Sequence, residues 1–157
     1  MKAGVALVGA AAMLAALAAN AQQKSVPQQP PAASADEPYQ PSLGEFMALQ
    51  QMRHIKLWFA GHAGNWPLAD YEIGELQGGF DEVSQLLGGD IVEQHVGAPL
   101  AALQKAVDGK DSAAFAGAFD SLSAGCNACH QTLDHGFIVI QRPVSLPYSD
   151  QVFAPQK

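Results

Sequence analysis

The chain is 157 residues long and 48% hydrophobic, enough to pack one domain around a core. It carries 15 acidic and 8 basic residues, a formal net charge of −7. That balance argues against nucleic-acid binding, which needs a basic stripe, and is compatible with docking on basic surfaces of partner proteins.

The opening stretch, MKAGVALVGAAAMLAALAANA, sets one cation (Lys2) before an apolar run over residues 4–19 and closes on Ala19-Asn20-Ala21. This is the layout of a secretory signal peptide over residues 1–21, cleaved after Ala21, and it points to the periplasm. A membrane anchor is the competing reading, but the run is rich in Ala and Gly and shorter than the roughly 20 apolar residues of a spanning helix. No cysteine lies near the cleavage point to take a lipid. No membrane span is expected after cleavage. Residues 22–41, QQKSVPQQPPAASADEPYQP, have few large apolar side chains and read as a disordered leader.

Helical signals follow. In Ser42-Leu43-Gly44-Glu45 the hydroxyl and the carboxylate can cap each other's backbone amides, so a helix starts here and runs to about Gly61. A second helix follows Asn65-Trp66-Pro67, with Asn65 or Trp66 as cap and Pro67 in the first turn. Leu68, Tyr71, Leu76, Phe80, Val83 and Leu87 then repeat at helical spacing until Gly88-Gly89. A shorter third helix is expected over 99–107, stopping at Asp108-Gly109. The fourth begins at Asp111 or Ser112 and ends at Gly136, with Phe115, Phe119, Leu122, Cys126, Cys129 and Leu133 as its stripe. Short loops between four helices predict an all-α, antiparallel four-helix bundle over 42–136. Beyond it, a short apolar run at 137–140 is followed by Pro143, Pro147 and Pro155, so residues 137–157 are expected as an extended tail packed on the bundle.

Both cysteines fall in SAGCNACHQTLDHG, as Cys126 and Cys129, with His130 directly after. On a helix, positions i, i+3 and i+4 project from one face. Two thiols there can join the vinyl groups of one porphyrin while the imidazole reaches its iron, and C-x-x-C-H is the attachment signature of haem c. One covalent haem is the expected cofactor, with thioethers at Cys126 and Cys129 and His130 as proximal iron ligand. Two alternatives use the same residues. A structural zinc site wants four ligands, usually in pairs, but no second cysteine pair exists. A redox dithiol belongs at a helix N-terminus, where the dipole lowers a thiol pKa, whereas this pair lies deep in the last helix.

A single C-x-x-C-H in the last helix of an exported four-helix bundle resembles the cytochrome c-prime superfamily, over roughly residues 42–136. The resemblance implies a haem protein whose six-coordinate members take a methionine from the first helix. Two features depart from the family: Leu133 and Asp134 stand where an aromatic-basic pair is usual, and the chain continues well past the motif. The stretch QQMRHIKLWFAGHAGNWPLADYE also resembles a group of uncharacterised exported bacterial C-x-x-C-H proteins, which implies no activity.

What faces the iron opposite His130 separates electron transfer from gas binding. At about 100° per residue, Glu45, Arg53 and Lys56 fall on one side of the first helix and Met47, His54 and Trp58 on the other, with Met52 nearer the charged edge. Met47 lies near the start of helix one and His130 near the end of helix four, so an antiparallel pair sets them level; His54 is roughly 10 Å further along. Met47 is the expected distal iron ligand, with His54, Met52 or no protein ligand as alternatives. His54 and Trp58 are expected haem-pocket residues, although an inward methionine or histidine also serves as plain core. His62, His95 and His135 lie near helix ends, where a cation is solvated or faces the dipole.

The sequence therefore points to a mono-haem c-type cytochrome in electron transport, with redox proteins as partners, and not to an enzyme. The alternative is a five-coordinate protein that binds small gases such as nitric oxide or carbon monoxide at an open apolar distal side. A peroxidase would need a distal histidine with an arginine, and His54 and Arg53 point to different faces. A homodimer is left open. N-terminal sequencing of the periplasmic protein should return Gln22 as first residue; an intact Met1 would remove the export argument.

Overall fold

A computed structural model describes residues 38–157. The expected signal peptide and most of the leader lie outside the described residues. The described helices all lie within Gln40–Lys157. They are α1 (Leu43–His62), α2 (Trp66–Leu87), α3 (Ile91–Asp108) and α4 (Ser112–Thr132), with no strand among the described residues. The chain forms the expected all-α four-helix bundle. Successive helices pack against one another, while α1 and α4 close the ring most thinly. No helix among the described residues is long and apolar enough to cross a membrane.

The helix starts follow the capping chemistry of the sequence. Ser42 Oγ accepts from the Glu45 amide at 3.3 Å, and the Ser42 amide donates to Glu45 Oε2 at 2.8 Å. Asn65 Oδ1 accepts from the Leu68 amide, with Pro67 in the first turn. Asp111 Oδ1 takes the amides of both Ala113 and Ala114 at 3.0 Å. Gly88 and Gly89 turn the chain between α2 and α3 with φ of 72° and 97°, a region that costs a side chain strain. Leu57, Leu76, Leu103, Phe115, Phe119 and Leu122 form the fully buried centre, each contributing about 1.5–3 kcal/mol by leaving water.

The third helix is longer than expected. Pro99 reads as a first-turn proline, yet it lies inside α3, which begins at Ile91. Val92, Val96, Leu100, Leu103 and Val107 are all buried along it, and that stripe outweighs an interior proline's cost of roughly 3 kcal/mol. The bond given up is the one a residue-99 amide would make to the His95 carbonyl. That carbonyl instead meets α4, where a Cβ added at Gly125 would lie 2.4 Å from His95 O. The two backbones touch because Gly125 has no side chain. A second close approach seats the Phe115 ring on Gly61, whose added Cβ would fall 2.1 Å from Cζ.

Two smaller corrections concern faces and ends. Tyr71 is 59% exposed, and the buried face of α2 holds Ala69, Glu72, Ile73, Leu76, Phe80 and Val83 instead. Helix α4 stops at Thr132, short of Gly136, and Asp134 turns the chain with φ 60°. From there the tail runs without regular structure along the α1–α4 side. Asn127 pairs with Ile140 through two hydrogen bonds, and Arg142 makes two to the Asp120 carboxylate while its guanidinium lies 4.4 Å from the centre of the Trp58 ring. Tyr148 meets Met52 Sδ, and the Asn65 amide group donates to the Ala154 carbonyl at 3.3 Å. Phe153 is buried against Phe59.

The Gly125 contact gives a paired prediction. Gly125→Ala should destabilise the protein by about 1–3 kcal/mol, because the new methyl meets backbone rather than a movable side chain. Gly117→Ala, on the same helix with open space at its Cβ, should stabilise it by about 0.5–1 kcal/mol. Urea midpoints of the two variants against wild type measure the difference.

Candidate functional site

The bundle encloses a cavity of about 350 Å³ at the end where α1 begins and α4 finishes, within the size range of small-molecule sites. Its walls are mostly apolar: Leu76, Phe80 and Val83 from α2, Val92 and Val96 from α3, and Leu122 from α4. Cys126, Cys129 and His130 line it from the last turns of α4, and Met47 and His54 from α1. Ile138 and Ile140 of the tail complete the wall.

The motif presents its atoms differently. Both thiols are free and half-buried. Burial, with a smaller contribution from Cys129, pushes the Cys126 thiol up to about 12, and burial raises Cys129 as well. Neither is the low-pKa thiolate that dithiol exchange uses. His130 is 9% exposed, and its Nδ1 lies 2.9 Å from the Ile138 carbonyl oxygen. A carbonyl only accepts, so Nδ1 carries a proton, and in the neutral ring Nε2 keeps its lone pair. Such a backbone acceptor on the far ring nitrogen fixes the tautomer of a metal-binding histidine.

His54 is 3% exposed, and its Nε2 lies 2.8 Å from Ser123 Oγ. The Ser123 hydroxyl donates to the Phe119 carbonyl at 3.0 Å, so its oxygen accepts from His54 Nε2–H. Burial depresses the His54 pKa from 6.5 to about 4, and the ring is neutral at physiological pH. Ser123 precedes His130 by two turns of α4, so His54 closes the inner end of the cavity, roughly 10 Å along the helix from His130. Met47, half-buried near the start of α1, belongs to the same end as His130.

The other candidates fall elsewhere. Trp58 lies outside the cavity, 8% exposed among Phe115, Phe119 and His62, under the Arg142 guanidinium. Met52 faces Tyr148 on the outside of α1. Arg53 bonds Gln50 and Glu75 on the α2 side, away from His54. His62 stacks on Trp58, and His95 lies 3.1 Å from Thr132 Oγ1. His135, expected as a helix-end residue, also lines the cavity and is itself exposed.

No protein-family model, curated protein or solved structure matches the chain. Among the described residues, no group of three or more His, Cys, Asp or Glu side chains is gathered as the ligands of one metal ion. Cys126, Cys129 and His130 share a cavity without converging on a point. That does not fit tetrahedral zinc, but it suits a wide ring addressed at its edge by two sulfurs and at its centre by an imidazole. The apolar walls and the free His130 Nε2 fit haem as well. Sequence reasoning missed Asn127 and the Ile138 carbonyl, because no periodicity announces a contact between a helix and irregular chain. It also missed the polar atoms of Gln50, whose Nε2 donates to the Leu76 carbonyl at 2.8 Å.

The depressed His54 pKa has a sign that can be tested. The unfolded chain protonates His54 near 6.5 and the folded one only near 4, so this contribution is present above pH 6.5 and is lost as pH falls toward 4. Its full size is about 3 kcal/mol. Urea unfolding between pH 7 and 4 should show the wild type losing that much relative to His54→Leu. Parallel curves for the two proteins would contradict it.

Proposed function

We propose that this chain is an exported mono-haem c-type cytochrome that carries electrons, with Cys126 and Cys129 holding the haem and His130 binding its iron. The observation that carries the reading is the shared cavity. Two thiols, an imidazole with its free nitrogen fixed, and a methionine from the facing helix all line one apolar space. The reading agrees with the resemblance to the cytochrome c-prime superfamily. Periplasmic location rests on residues 1–21, and redox proteins are the expected partners.

A covalently attached haem would supply a one-electron ferric–ferrous couple. The chain's own residues supply the rest. Val83, Val92, Val96 and Leu122 keep water from the cavity and the local dielectric low. His130 offers Nε2, and the Ile138 carbonyl holds the ring in the tautomer that leaves that nitrogen free. Met47 offers a soft thioether, which favours reduced iron and raises the potential. His54, already committed to Ser123 at the inner end, acts as a neutral wall residue.

Expressed in a host that attaches haem c, the mature chain should gain the mass of one haem, retained through acid–acetone extraction. Both oxidation states should be low-spin. Met47→Ala should turn the spectrum high-spin, lower the potential and admit carbon monoxide quickly, while His54→Ala should leave the spectrum nearly unchanged. The reverse pattern would make His54 the ligand. A high-spin wild type would move the reading to gas binding, and a mass equal to the apo-protein would end it.

A further inference from the structure

We infer that residues 137–140 are a strap that fixes the ring of His130, and that Asn127, inside the C-x-x-C-H motif, is the positioning residue that holds the strap. The inference rests on His130 being an iron ligand and adds what orients it.

Asn127 Nδ2 donates to the Ile140 carbonyl at 2.8 Å, and the Ile140 amide donates to Asn127 Oδ1 at 2.7 Å. The side-chain amide thus pairs with one backbone residue as a neighbouring strand would, satisfying both its polar groups. With Ile140 held, Ile138 falls on the same side of the extended chain, and its carbonyl accepts the His130 Nδ1 proton at 2.9 Å. The turn between them is closed by backbone bonds, from the His135 amide to the His130 carbonyl at 2.7 Å and from the Ile138 amide to the His135 carbonyl at 2.9 Å. Asn127 and His130 are i, i+3 neighbours on α4, so one helix turn carries both the ligand and the clasp for its acceptor.

Burial holds this segment only weakly, at the half-buried Ile140. Phe137 is 80% exposed and Val139 70% exposed, while Ile138 itself is 42% exposed. Its attachment is therefore mainly polar, and the Asn127 pair supplies the two bonds on the far side of the carbonyl. Further along, Arg142 ties the chain to Asp120 near the middle of α4, outside the His130 contact.

A carbonyl acceptor on Nδ1–H makes Nε2 more basic and favours the ferric state. Asn127→Ala should therefore raise the potential. The ferrous-to-ferric ratio at fixed potential should grow three- to tenfold, at most 59 mV for a one-electron couple. Exchange of the His130 ring N–H with solvent, followed by NMR, should speed at least tenfold. Asn127→Asp keeps the shape and one of the two bonds, and should speed the ring N–H exchange by less than Asn127→Ala does; its added negative charge acts on the potential separately, so exchange is the readout for this variant. Arg142→Ala should lower thermal stability without moving the potential, a separation that a merely structural role for Asn127 would not produce. Unchanged potential and exchange in Asn127→Ala would overturn the inference.

Failure of the haem reading is distinguishable. If the wild-type chain carries no haem, ¹⁵N spectra of the full-length protein at about pH 8, above the ordinary histidine range, report the tautomer directly. The inference then requires Nδ1–H at His130 in the wild type and mainly Nε2–H in Asn127→Ala. A wild type already Nε2–H would overturn it.

Discussion

The contact between the His95 carbonyl and the α-carbon of Gly125 sets the geometry of everything near the motif. It needs two residues at once: Pro99, which leaves that carbonyl without its helical partner, and Gly125, which leaves room for it. With Gly125 turned to α3, the residues about 40° to 140° further round α4 are Cys129, Cys126 and His130. They consequently face the space between the helices rather than solvent. Ser123, further round still, reaches α1 and His54. One backbone contact thus fixes the rotation of α4 about its axis, and that rotation decides which side chains see the cavity.

A cavity of this kind needs walls on four sides, and α1 and α4 approach each other too thinly to supply the last one. The irregular tail fills that gap. It does so with little apolar burial near the motif and more at its far end, where Phe153 enters the core beside Phe59. Between these, Arg142 meets both a carboxylate and the Trp58 ring. Trp58 is thereby a support for the tail and for the aromatic cluster with Phe115 and Phe119, not part of the cavity lining.

Much of the bundle was legible because caps and stripes are local. Ser42 with Glu45, Asn65 before Pro67, and Asp111 all mark their helices in the sequence. So does the common face of Cys126, Cys129 and His130, which follows from spacing alone. What was illegible depends on other elements. Pro99 breaks helices by local rules, and only its packing neighbours reverse that. Tyr71, expected on the buried stripe, faces outward, and the neighbouring Glu72 is buried, 3.5 Å from Lys56 on the facing helix, a charge partner that the α2 sequence does not contain. Burial still raises the Glu72 pKa against that attraction. The role of Asn127 needed the tail's path, and no repeat or motif encodes it.

The tail's far anchors also weigh on how the fold closes. Asn65 and Ala154 are 89 residues apart in sequence, and Met52 and Tyr148 are 96 apart. Each of the α1–α2 and α3–α4 hairpins closes over a turn of a few residues, so their contacts carry little loop entropy. The tail's contacts carry the most, and they join it to the first helix and to the turn that follows that helix. Closure entropy ranks these contacts behind the helix hairpins, because a loop that long is cheap to close only once the bundle has already brought its ends together. The wall formed by Ile138 and Ile140 escapes that ranking: its bonds reach only 13 and 8 residues back, to Asn127 and His130, so it can form with the end of α4 while the far tail still has to find α1.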